Sequence, residues 1–304
     1  MIIEEKPLVS FVVLAYNQEE YIQDAVISAL SQNYFPLEII ISDDCSSDNT
    51  YQIIEDVVRD LGGCKKIIVN RNSENLGTVC HLNKLIKIAS GEFIVLAGGD
   101  DISLPIRTNF LINKWIGMER KICSIFTNAI VIDQNGKEHG KFFNEPIVVK
   151  NIDEFISIGN CWLGGFSHGF PKILYEKYGP IKANTFQEDG VLSFRALLNN
   201  GIFYYEDCTV LYRRHQNNSY DTTNFEKLVK LYKSELELTK QRIFDLELDK
   251  DIDSQRRLNV KKVINSTAKK NQIYLKYCYL IKLTFIAKKY KSMLYKKILR
   301  RLRN

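Results

Sequence analysis

The apolar positions of the first hundred residues follow two alternating spacings. Unbroken runs of β-branched and aromatic residues, such as "PLVSFVVLAY" (7–16), are typical of strands that are buried on both faces of a sheet. Between these runs, apolar residues recur every three or four positions, as in "YIQDAVISALSQ" (21–32), which predicts amphipathic helices. The alternation predicts right-handed crossovers and a mainly parallel sheet covered by helices, in an α/β protein with Rossmann-like organisation.

The same pattern predicts further elements in the first hundred residues. The expected strands cover 37–44, 65–70 and 93–98, and the expected helices cover 50–61 and 79–90. Beyond residue 105 the pattern is looser. A helix is expected over 106–119, a strand over 121–133 and an Asn-Gly hairpin turn at 134–137. A further helix is expected over 191–201, with the short strands "IFYYED" and "VLYRRH" around it. Residues 223–248 and 257–302 have the composition of long helices.

Composition narrows the class of protein. With 304 residues, 45% hydrophobic and 26% charged, the chain is typical of a soluble globular protein of one large domain or two smaller ones. Seven cysteines without a CxxC pair argue against a disulfide framework or a structural zinc site, and for a reducing compartment. No signal-peptide pattern and no run of about 20 apolar residues is visible, so we expect a cytoplasmic protein.

The charge is unevenly distributed along the chain. After Asp253 there are 16 lysines and arginines and no acidic residue. Because the whole chain has a net charge of +6, residues 1–253 carry a net charge of −10. Within 273–304, apolar residues fall near one helical stripe and basic residues occupy most of the rest, which suits the anionic inner leaflet of a membrane. The stripe comprises Ile273, Tyr277, Leu280, Ile281, Thr284, Ala287, Leu294 and Ile298. A solvated helix packed on the body is the alternative, and no nucleic-acid recognition motif accompanies the charge.

Polar clusters follow three of the predicted parallel strands: Tyr16-Asn17, Asp43-Asp44 and Asp100-Asp101. Ligands of open parallel sheets bind outside the carboxyl ends of the strands, although one aspartate of the second cluster could be only a helix cap. Adjacent like charges do not stabilise a chain, but carboxylates bind Mg²⁺ or Mn²⁺, which can bridge to a diphosphate. No GxGxxG follows the first strand and no GxxxxGK[ST] occurs, which disfavours a dinucleotide oxidoreductase and a P-loop enzyme.

Three long segments share one family resemblance. "VSFVVLAYNQEEYIQDAVISALSQNYFPLEIIISDDCSSDNTYQII", "NSENLGTVCHLNKLIKIASGEFIVLAGGDD" and "FQEDGVLSFRALLNNGIFYYEDCTVLYRRHQNNS" resemble, in order and spacing, the family 2 glycosyltransferases. The resemblance covers about residues 7–220 and implies the GT-A fold over 1–220. A nucleotide-binding half of about 1–105 and an acceptor-binding half of about 106–220 are then expected, followed by a basic helical extension over 221–304.

The resemblance implies roles for individual carboxylates. Asp44 matches the residue that accepts a hydrogen bond from the nucleotide base, and Asp43 supports its turn. Asp100 matches a ribose contact and Asp101 the ligand of Mn²⁺ or Mg²⁺. Asp189 matches the catalytic base. The full set expected to bind the donor nucleotide is Ala15, Tyr16, Asn17, Asp43, Asp44, Asn83 and Asp100.

Four further residues are candidates for the acceptor or the diphosphate. Glu188 is expected to orient the base or the acceptor, and His215 to approach the diphosphate from a flexible loop. His168 lies where the family often shapes the acceptor pocket, although a lone histidine is more often a structural residue. Trp162 could stack on an acceptor sugar or belong to the core. Glu188 and Asp189 could also be no more than the capped start of a helix.

Two departures from the family pattern affect these expectations. Gly98 stands where the metal motif Asp-x-Asp-Asp usually has its first aspartate, so metal binding depends on Asp101 with help from Asp100. Leu82-Asn83 replaces a common Arg-Asn pair, so a phosphate contact could come instead from Lys84, Arg71 or a residue of the tail.

The chemistry implied by the resemblance is inversion by a single displacement. The expected enzyme moves a sugar from a nucleotide diphosphate donor, a UDP-sugar above all, to a hydroxyl of a glycan or lipid-linked acceptor in O-antigen or capsule synthesis. It would work at the inner face of the cell membrane without a nucleic-acid partner, and a homodimer remains open. The alternatives are a non-catalytic sugar-nucleotide or glycan-binding protein and a nucleotidyltransferase, which the acidic "AYNQEE" disfavours.

Overall fold

One curled sheet organises the part of the chain that the structure, a computed structural model, describes: residues 5–145, 150–159, 163–182, 184–185, 187–215 and 225–301, with side chains as far as 279. Its strands are β1 (Val9–Ala15), β2 (Leu37–Asp43), β3 (Lys66–Arg71), β4 (Phe93–Gly98), β5 (Ile102–Ser103), β6 (Ser124–Ile132), β7 (Glu138–Lys141), β8 (Gly169–Pro171) and β9 (Ile202–Arg213). The helices are α1 (Ile22–Leu30), α2 (Thr50–Leu61), α3 (Thr78–Ile88), α4 (Arg107–Gly117), α5 (Ile152–Ile158), α6 (Ile173–Tyr178), α7 (Glu188–Leu197), α8 (Phe225–Leu248) and α9 (Ser254–Arg301).

The first four long strands form the parallel half of the sheet, in the order β3-β2-β1-β4. Their bounds confirm the prediction from the alternating pattern to within about two residues. The register pairs Ala15 with Asp43 and Leu14 with Gly98, so the carboxyl ends of β1, β2 and β4 lie at one edge. The three predicted polar clusters therefore follow the same edge of the sheet.

The second half of the sheet is mixed and continues in the order β8-β6-β9-β5, with β7 paired to β6. β8 joins the two halves by pairing antiparallel with both β4 and β6. The predicted short strands "IFYYED" and "VLYRRH" are wrong as two elements, since they form the single strand β9. Irregular register opposite Thr127–Ala129 interrupts its pairing with β6, which explains why the sequence pattern breaks there.

Helices cover both faces of the sheet. Side chains of β1, β2 and β4 alternate between two buried clusters, with Phe11 and Val13 on one face and Val12 on the other. α1, α2 and α4 contribute to the first cluster, and α3, α5, α6 and α7 contribute to the second. The long apolar runs of the sequence are explained by this burial from both sides.

The C-terminal helices contribute to the same core as the second helix layer. Leu238 and Leu246 of α8 and Val260 and Ile264 of α9 are buried in the cluster that contains the α7 side chains. Arg195 of α7 and Asp245 of α8 form a fully buried ion pair at 2.9 Å. Removing one partner of such a pair leaves an uncompensated buried charge and costs about 3–5 kcal/mol. The domain boundary near residue 220 remains a prediction from composition, since packing continues across it.

The distal part of the described chain is more exposed. On α9, Ile273 and Tyr277 are 44% and 59% exposed, while Cys278 is buried. Tyr274 stacks on Tyr232 of α8, with ring centroids 5.5 Å apart. In the described residues, no helix combines the length and the apolar character that a membrane crossing requires.

Candidate active site

The turn after β2 is built around two buried carboxylates. Asp43 accepts hydrogen bonds from the backbone N–H and the hydroxyl of Ser46, and Arg71 Nε lies 3.4 Å from its Oδ2. Asp44 accepts from Asn72 Nδ2 at 2.7 Å and from the backbone N–H groups of residues 76 and 77 at 3.0 and 2.9 Å. The loop that follows β3 is therefore held to the end of β2 through Asp44.

The turn after β1 is joined to this arrangement. Asn17 has a left-handed backbone (φ 50°), its N–H donates to Ser46 Oγ at 2.8 Å, and its Oδ1 accepts from the N–H of Ser47 at 2.9 Å. Ala15 is buried, whereas the Tyr16 ring is 45% exposed at the sheet edge. Asn17 is exposed as well but is bonded to the turn after β2, so Tyr16 has the freer side chain for a ligand.

Asp100 and Asp101 lie in the turn between β4 and β5. Asp101 Oδ1 accepts from the backbone N–H of Arg213 at 2.9 Å, and the carbonyl of Asp100 accepts from Arg213 Nε at 3.0 Å. Arg213 also pairs with Asp24 of α1 at 2.9 Å, and His215 Nε2 lies 3.0 Å from Asp100 Oδ2. Burial, and then the neighbouring Asp100 charge, raise the pKa of Asp101 well above its ordinary value. A cation beside this pair would relieve both effects.

The space in front of Gly98 fits such a cation. A Cβ placed on Gly98 would lie 2.7 Å from Asp100 Oδ1 and 3.5 Å from Asp101 Oδ2, so two carboxylate oxygens face one small volume. Within the described residues, no three His, Cys, Asp or Glu side chains converge as a ready-made metal site. Two carboxylates with the remaining ligands supplied by phosphates and water are the usual arrangement for Mg²⁺, so the donor set fits a substrate-bridged ion.

A second carboxylate pair begins α7. Asp189 is buried and Glu188 is half-buried, and the backbone N–H of Gly190 donates to Asp189 Oδ1 at 2.7 Å. A Cβ on Gly165 would lie 3.2 Å from Glu188 Oε1 and 3.4 Å from Asp189 Oδ2, so the turn Gly165–Ser167 passes directly beside both. Burial and the Asp189 charge raise the pKa of Glu188 to about 8. Burial raises the pKa of Asp189 to about 6, against hydrogen bonds from backbone N–H groups.

An aromatic contact connects the two carboxylate pairs. Phe166 follows Gly165, and its ring centroid lies 4.8 Å from that of Tyr212 on β9. Tyr212 precedes Arg213, whose N–H binds Asp101. Burial, and then the charges of Asp101 and Asp100, raise the pKa of Tyr212. The patch formed by Phe166 and Tyr212 therefore links the turn beside Asp189 to the strand that holds Asp101.

Other predicted residues have different surroundings. His168 is fully buried, stacks on Phe126 with ring centroids 4.2 Å apart, and lies 2.9 Å from Ser124 Oγ through Nε2. Burial lowers the pKa of His168 to about 3, so the ring is a neutral core group and the geometry does not support a contact with an acceptor. Trp162 lies outside the described residues.

The side-chain amide of Asn83 makes hydrogen bonds to other residues of the protein. Its Nδ2 donates to the carbonyl of Ile181 at 2.8 Å, and its Oδ1 accepts from the N–H of Ile181 and the hydroxyl of Tyr175 at 3.0 and 2.9 Å. The side chain thus fastens α3 to the segment that precedes α7. Its predicted contact with the nucleotide would require these bonds to open.

Lys84 and Arg71, the alternatives for a phosphate contact, also make hydrogen bonds to neighbouring loops. Lys84 Nζ donates to Asn72 Oδ1 at 2.6 Å, and Arg71 donates to the carbonyl of Ser46 at 3.1 Å and lies over the ring of Tyr51. The sequence reasoning missed Arg213. Its position immediately before the Arg-His of "YRRH", at the end of a strand, was the available signal, but its binding to Asp100 and Asp101 depends on strand pairing.

Comparison with known proteins places these features in a family. Residues 10–167 match the model of glycosyl transferase family 2. The chain belongs to this family. An uncharacterized glycosyltransferase of Methanocaldococcus jannaschii is 31% identical over 153 residues, 50% of this chain and 51% of the relative. The glycosyltransferase TuaG of Bacillus subtilis, named for teichuronic acid biosynthesis, is 32% identical over 145 residues, 46% of this chain and 54% of TuaG. The chain spans about half the length of these relatives.

Solved structures share the GT-A fold of this glycosyltransferase family. A fragment of S. aureus TarS in complex with UDP-GlcNAc superposes with a TM-score of 0.61 at 19% identity, over 84% of this chain and 71% of the fragment. The mannosyltransferase PcManGT of Pyrobaculum calidifontis, in complex with GDP-Man and Mn²⁺, superposes with a TM-score of 0.58 at 16% identity, over 93% of this chain and 76% of PcManGT. These likenesses confirm the predicted fold class.

The hydrogen bonds of Asp44 generate a prediction about stability. In Asp44→Asn, an amide N–H₂ replaces one acceptor and faces donors of the 72–77 loop, which should lower the free energy of unfolding by about 1–3 kcal/mol. Urea denaturation measures the change. Asp60→Asn, at an exposed carboxylate beside Arg59, is the control and should change it by less than about 0.5 kcal/mol. Equal stability of both variants would show that Asp44 does not hold the loop.

Proposed function

We propose that this family 2 member is an inverting glycosyltransferase. It moves a sugar from a UDP-sugar to a hydroxyl of a glycan or lipid-linked oligosaccharide during synthesis of a bacterial surface polysaccharide such as O-antigen or capsule. The observation that carries the proposal is Asp189, a buried carboxylate linked through the Phe166–Tyr212 patch to Asp100 and Asp101. The TarS complex with UDP-GlcNAc supports the donor class, and the name of TuaG supports the polysaccharide.

The nucleotide would lie along the edge where β1, β2 and β4 end. The exposed ring of Tyr16 and the Asp43-Asp44 turn are suited to the base, and Asp100, which is partly exposed, to the ribose hydroxyls. His215, in contact with Asp100, is placed to approach the diphosphate. These assignments follow the order of the strand ends in the sheet.

Asp101, with Asp100, would hold Mg²⁺ or Mn²⁺ in front of Gly98. The bound ion would compensate the negative charge of the diphosphate leaving group. From β9, the backbone N–H of Arg213 fixes the direction of the Asp101 carboxylate, and its Nε holds the backbone carbonyl of Asp100. The complex of PcManGT with GDP-Man and Mn²⁺ supports this class of cofactor.

The reaction assigned to Asp189 is a proton transfer coupled to displacement. Its ionised carboxylate takes the proton of the acceptor hydroxyl while that oxygen bonds to the anomeric carbon. The bond from the anomeric carbon to the diphosphate oxygen breaks, and the electron pair leaves with the nucleotide. Near neutral pH Glu188 holds its own proton, since its pKa is raised to about 8, so the pair carries one negative charge and Glu188 can donate a hydrogen bond to the acceptor.

The proton transfer predicts both a pH profile and a mutant phenotype. Because the pKa of Asp189 is raised to about 6, kcat/KM should fall about tenfold per pH unit below pH 6 and level off above it. Asp189→Asn should lower kcat by about 10²–10⁴-fold and leave the affinity for UDP unchanged. Release of UDP from a panel of UDP-sugars, with and without acceptor glycans, measures both. Wild-type protein that binds UDP-sugars without turning them over would favour the non-catalytic binding protein instead.

The carboxylates near Gly98 generate a metal-binding prediction. In Asp101→Asn the charge is lost but the acceptor for the N–H of Arg213 remains, so the fold should persist while Mn²⁺ binding in the presence of UDP weakens about 10–100-fold. Mn²⁺ titration followed by thermal shift measures it. Asp133→Asn is the matched control, since Asp133 Oδ1 also accepts from backbone N–H groups, those of Asn135 and Lys137, but lies in the exposed β6–β7 hairpin. The metal role of Asp101 is rejected if both variants bind Mn²⁺ equally well.

The basic end of α9 supports a peripheral position at the inner face of the membrane. Sixteen lysines and arginines follow Asp253 without an acidic residue, and Ile273 and Tyr277 are exposed. Apolar side chains and cations on one helix bind anionic bilayers together. Such a position would bring the enzyme to a lipid-linked acceptor.

Vesicle sedimentation tests this position. The protein should pellet with vesicles of phosphatidylglycerol and phosphatidylcholine, less at 0.5 M salt, and hardly with phosphatidylcholine alone. The double variant Ile273→Asn, Tyr277→Asn should bind several-fold more weakly. Leu258→Asn, at another exposed apolar residue of α9, should bind as wild type does. Salt-independent binding, or none, would contradict a membrane-surface position.

A further inference from the structure

One face of α8 lies along the segment that carries Glu188 and Asp189. The backbone N–H of Lys182 donates to Gln241 Oε1 at 2.8 Å, the hydroxyls of Thr185 and Ser234 are 2.5 Å apart, and Gln187 Nε2 donates to Glu235 Oε1 at 2.9 Å. Ser234 and Glu235 are adjacent and Gln241 follows about two helical turns later, so one side of the helix makes these bonds.

The same face of α8 also packs against α7. A Cβ on Gly190 would lie 3.1 Å from a methyl carbon of Leu238, so the first turn of α7 approaches α8 closely. Further along, Arg195 donates to both carboxylate oxygens of Asp245, at 2.9 and 3.1 Å. Contacts thus bracket Asp189 on both sides in the sequence, and they all come from a helix that composition alone assigns to a separate extension.

Two charged residues of α8 lie beside the segment that bears Asp189. Glu235 is bonded to Gln187, two residues before it. Arg242 is buried, and its guanidinium lies 5.7 and 5.8 Å from the ring centroids of Phe155 and Phe194. Glu235 raises the pKa of Asp189 and Arg242 lowers it.

Other groups that face Asp189 belong to α7 itself and to the turn Gly165–Ser167. They include the Glu188 carboxyl on α7 and the backbone N–H groups of Gly165 and Gly190. The charges that α8 contributes are therefore opposite in sign and come from outside the segment that forms the pair.

We propose that α8 is a working part of the catalytic unit, in which Glu235 and Arg242 are positioning residues that fix the segment bearing Asp189 and balance its charge. The proposal rests on the function proposed above for Asp189. It implies that the C-terminal extension completes the acceptor half of the enzyme, and that the unit which performs the reaction continues to at least residue 245. A merely structural helix would require packing, but it would not require these two charges.

Because Glu235 and Arg242 carry opposite charges, removing each one should shift the pH profile in an opposite direction. In Glu235→Gln a negative neighbour is lost while the acceptor for Gln187 is retained, so the acid limb of the kcat/KM profile should move to lower pH. In Arg242→Met a positive neighbour is lost while the apolar stem against the two phenylalanines is retained, so the limb should move to higher pH. We expect shifts of about half a unit or more, which is about threefold in kcat/KM below the limb.

The opposite face of α8 supplies matched controls. Glu237 and Lys240 form an exposed pair at 2.6 Å. Glu237→Gln and Lys240→Met make the same changes of charge on the same helix, and neither should move the limb. Because surface charges are screened, any general effect of the charge of the helix would appear equally in these controls.

A second readout separates this proposal from the proposed function. The ¹³C carboxyl resonance of Asp189, assigned with Asp189→Asn, reports the titration of the Glu188–Asp189 pair without any turnover. Opposite shifts in Glu235→Gln and Arg242→Met with unchanged controls support the roles of the two α8 charges even if no sugar nucleotide is turned over, in which case only the proposed function fails. Turnover in the wild type together with unshifted titrations in both variants overturns the inference. Shifts of the same sign in both variants, or shifts in the controls, also overturn it.

Discussion

Pairs of carboxylates withdrawn from water impose the constraint to which the rest of this structure responds. Asp100 and Asp101 are adjacent, as are Glu188 and Asp189, and neither pair gains from its own proximity. Burial of like charges raises pKa values and costs free energy unless hydrogen bonds or cations compensate. The protein meets this requirement from distant elements: β9 provides Arg213 for the first pair, and α8 provides Arg242 near the second. The long-range architecture is thereby tied to the site.

The parallel half of the sheet could be predicted from the sequence because each of its strands is buried on both faces. That burial produces the unbroken apolar runs at β1 and β4, and the intervening helices show a clear 3.6-residue period. The second half could not be predicted so well. β5 and β8 have two and three residues, too few to form a pattern, and β9 was divided into two elements because its pairing with β6 is irregular. Those strands depend on tertiary pairing and leave little local signal.

The candidate site shows the same division. Asp44, Asp101 and Asp189 were indicated by family motifs that lie where local elements end. The contacts that hold them could not be read locally, since the N–H of Arg213 reaches Asp101 across more than a hundred residues, and α8 meets the Asp189 segment only through tertiary packing. His168 and Asn83 illustrate the converse. Their positions in the sequence suggested ligand contacts, but a buried histidine and a bonded asparagine amide satisfy internal requirements here.

The central claim is that the two carboxylate pairs act on one donor molecule across the Phe166–Tyr212 patch. The most direct measurement is a crystal structure with Mn²⁺ and an intact phosphonate analogue of a UDP-sugar, with the ion located by its anomalous scattering. The account predicts an anomalous peak in front of Gly98 in contact with Asp101, and a sugar whose anomeric carbon faces Asp189. An ion bound elsewhere, or a sugar whose anomeric carbon is separated from Asp189 by other protein groups, would contradict it.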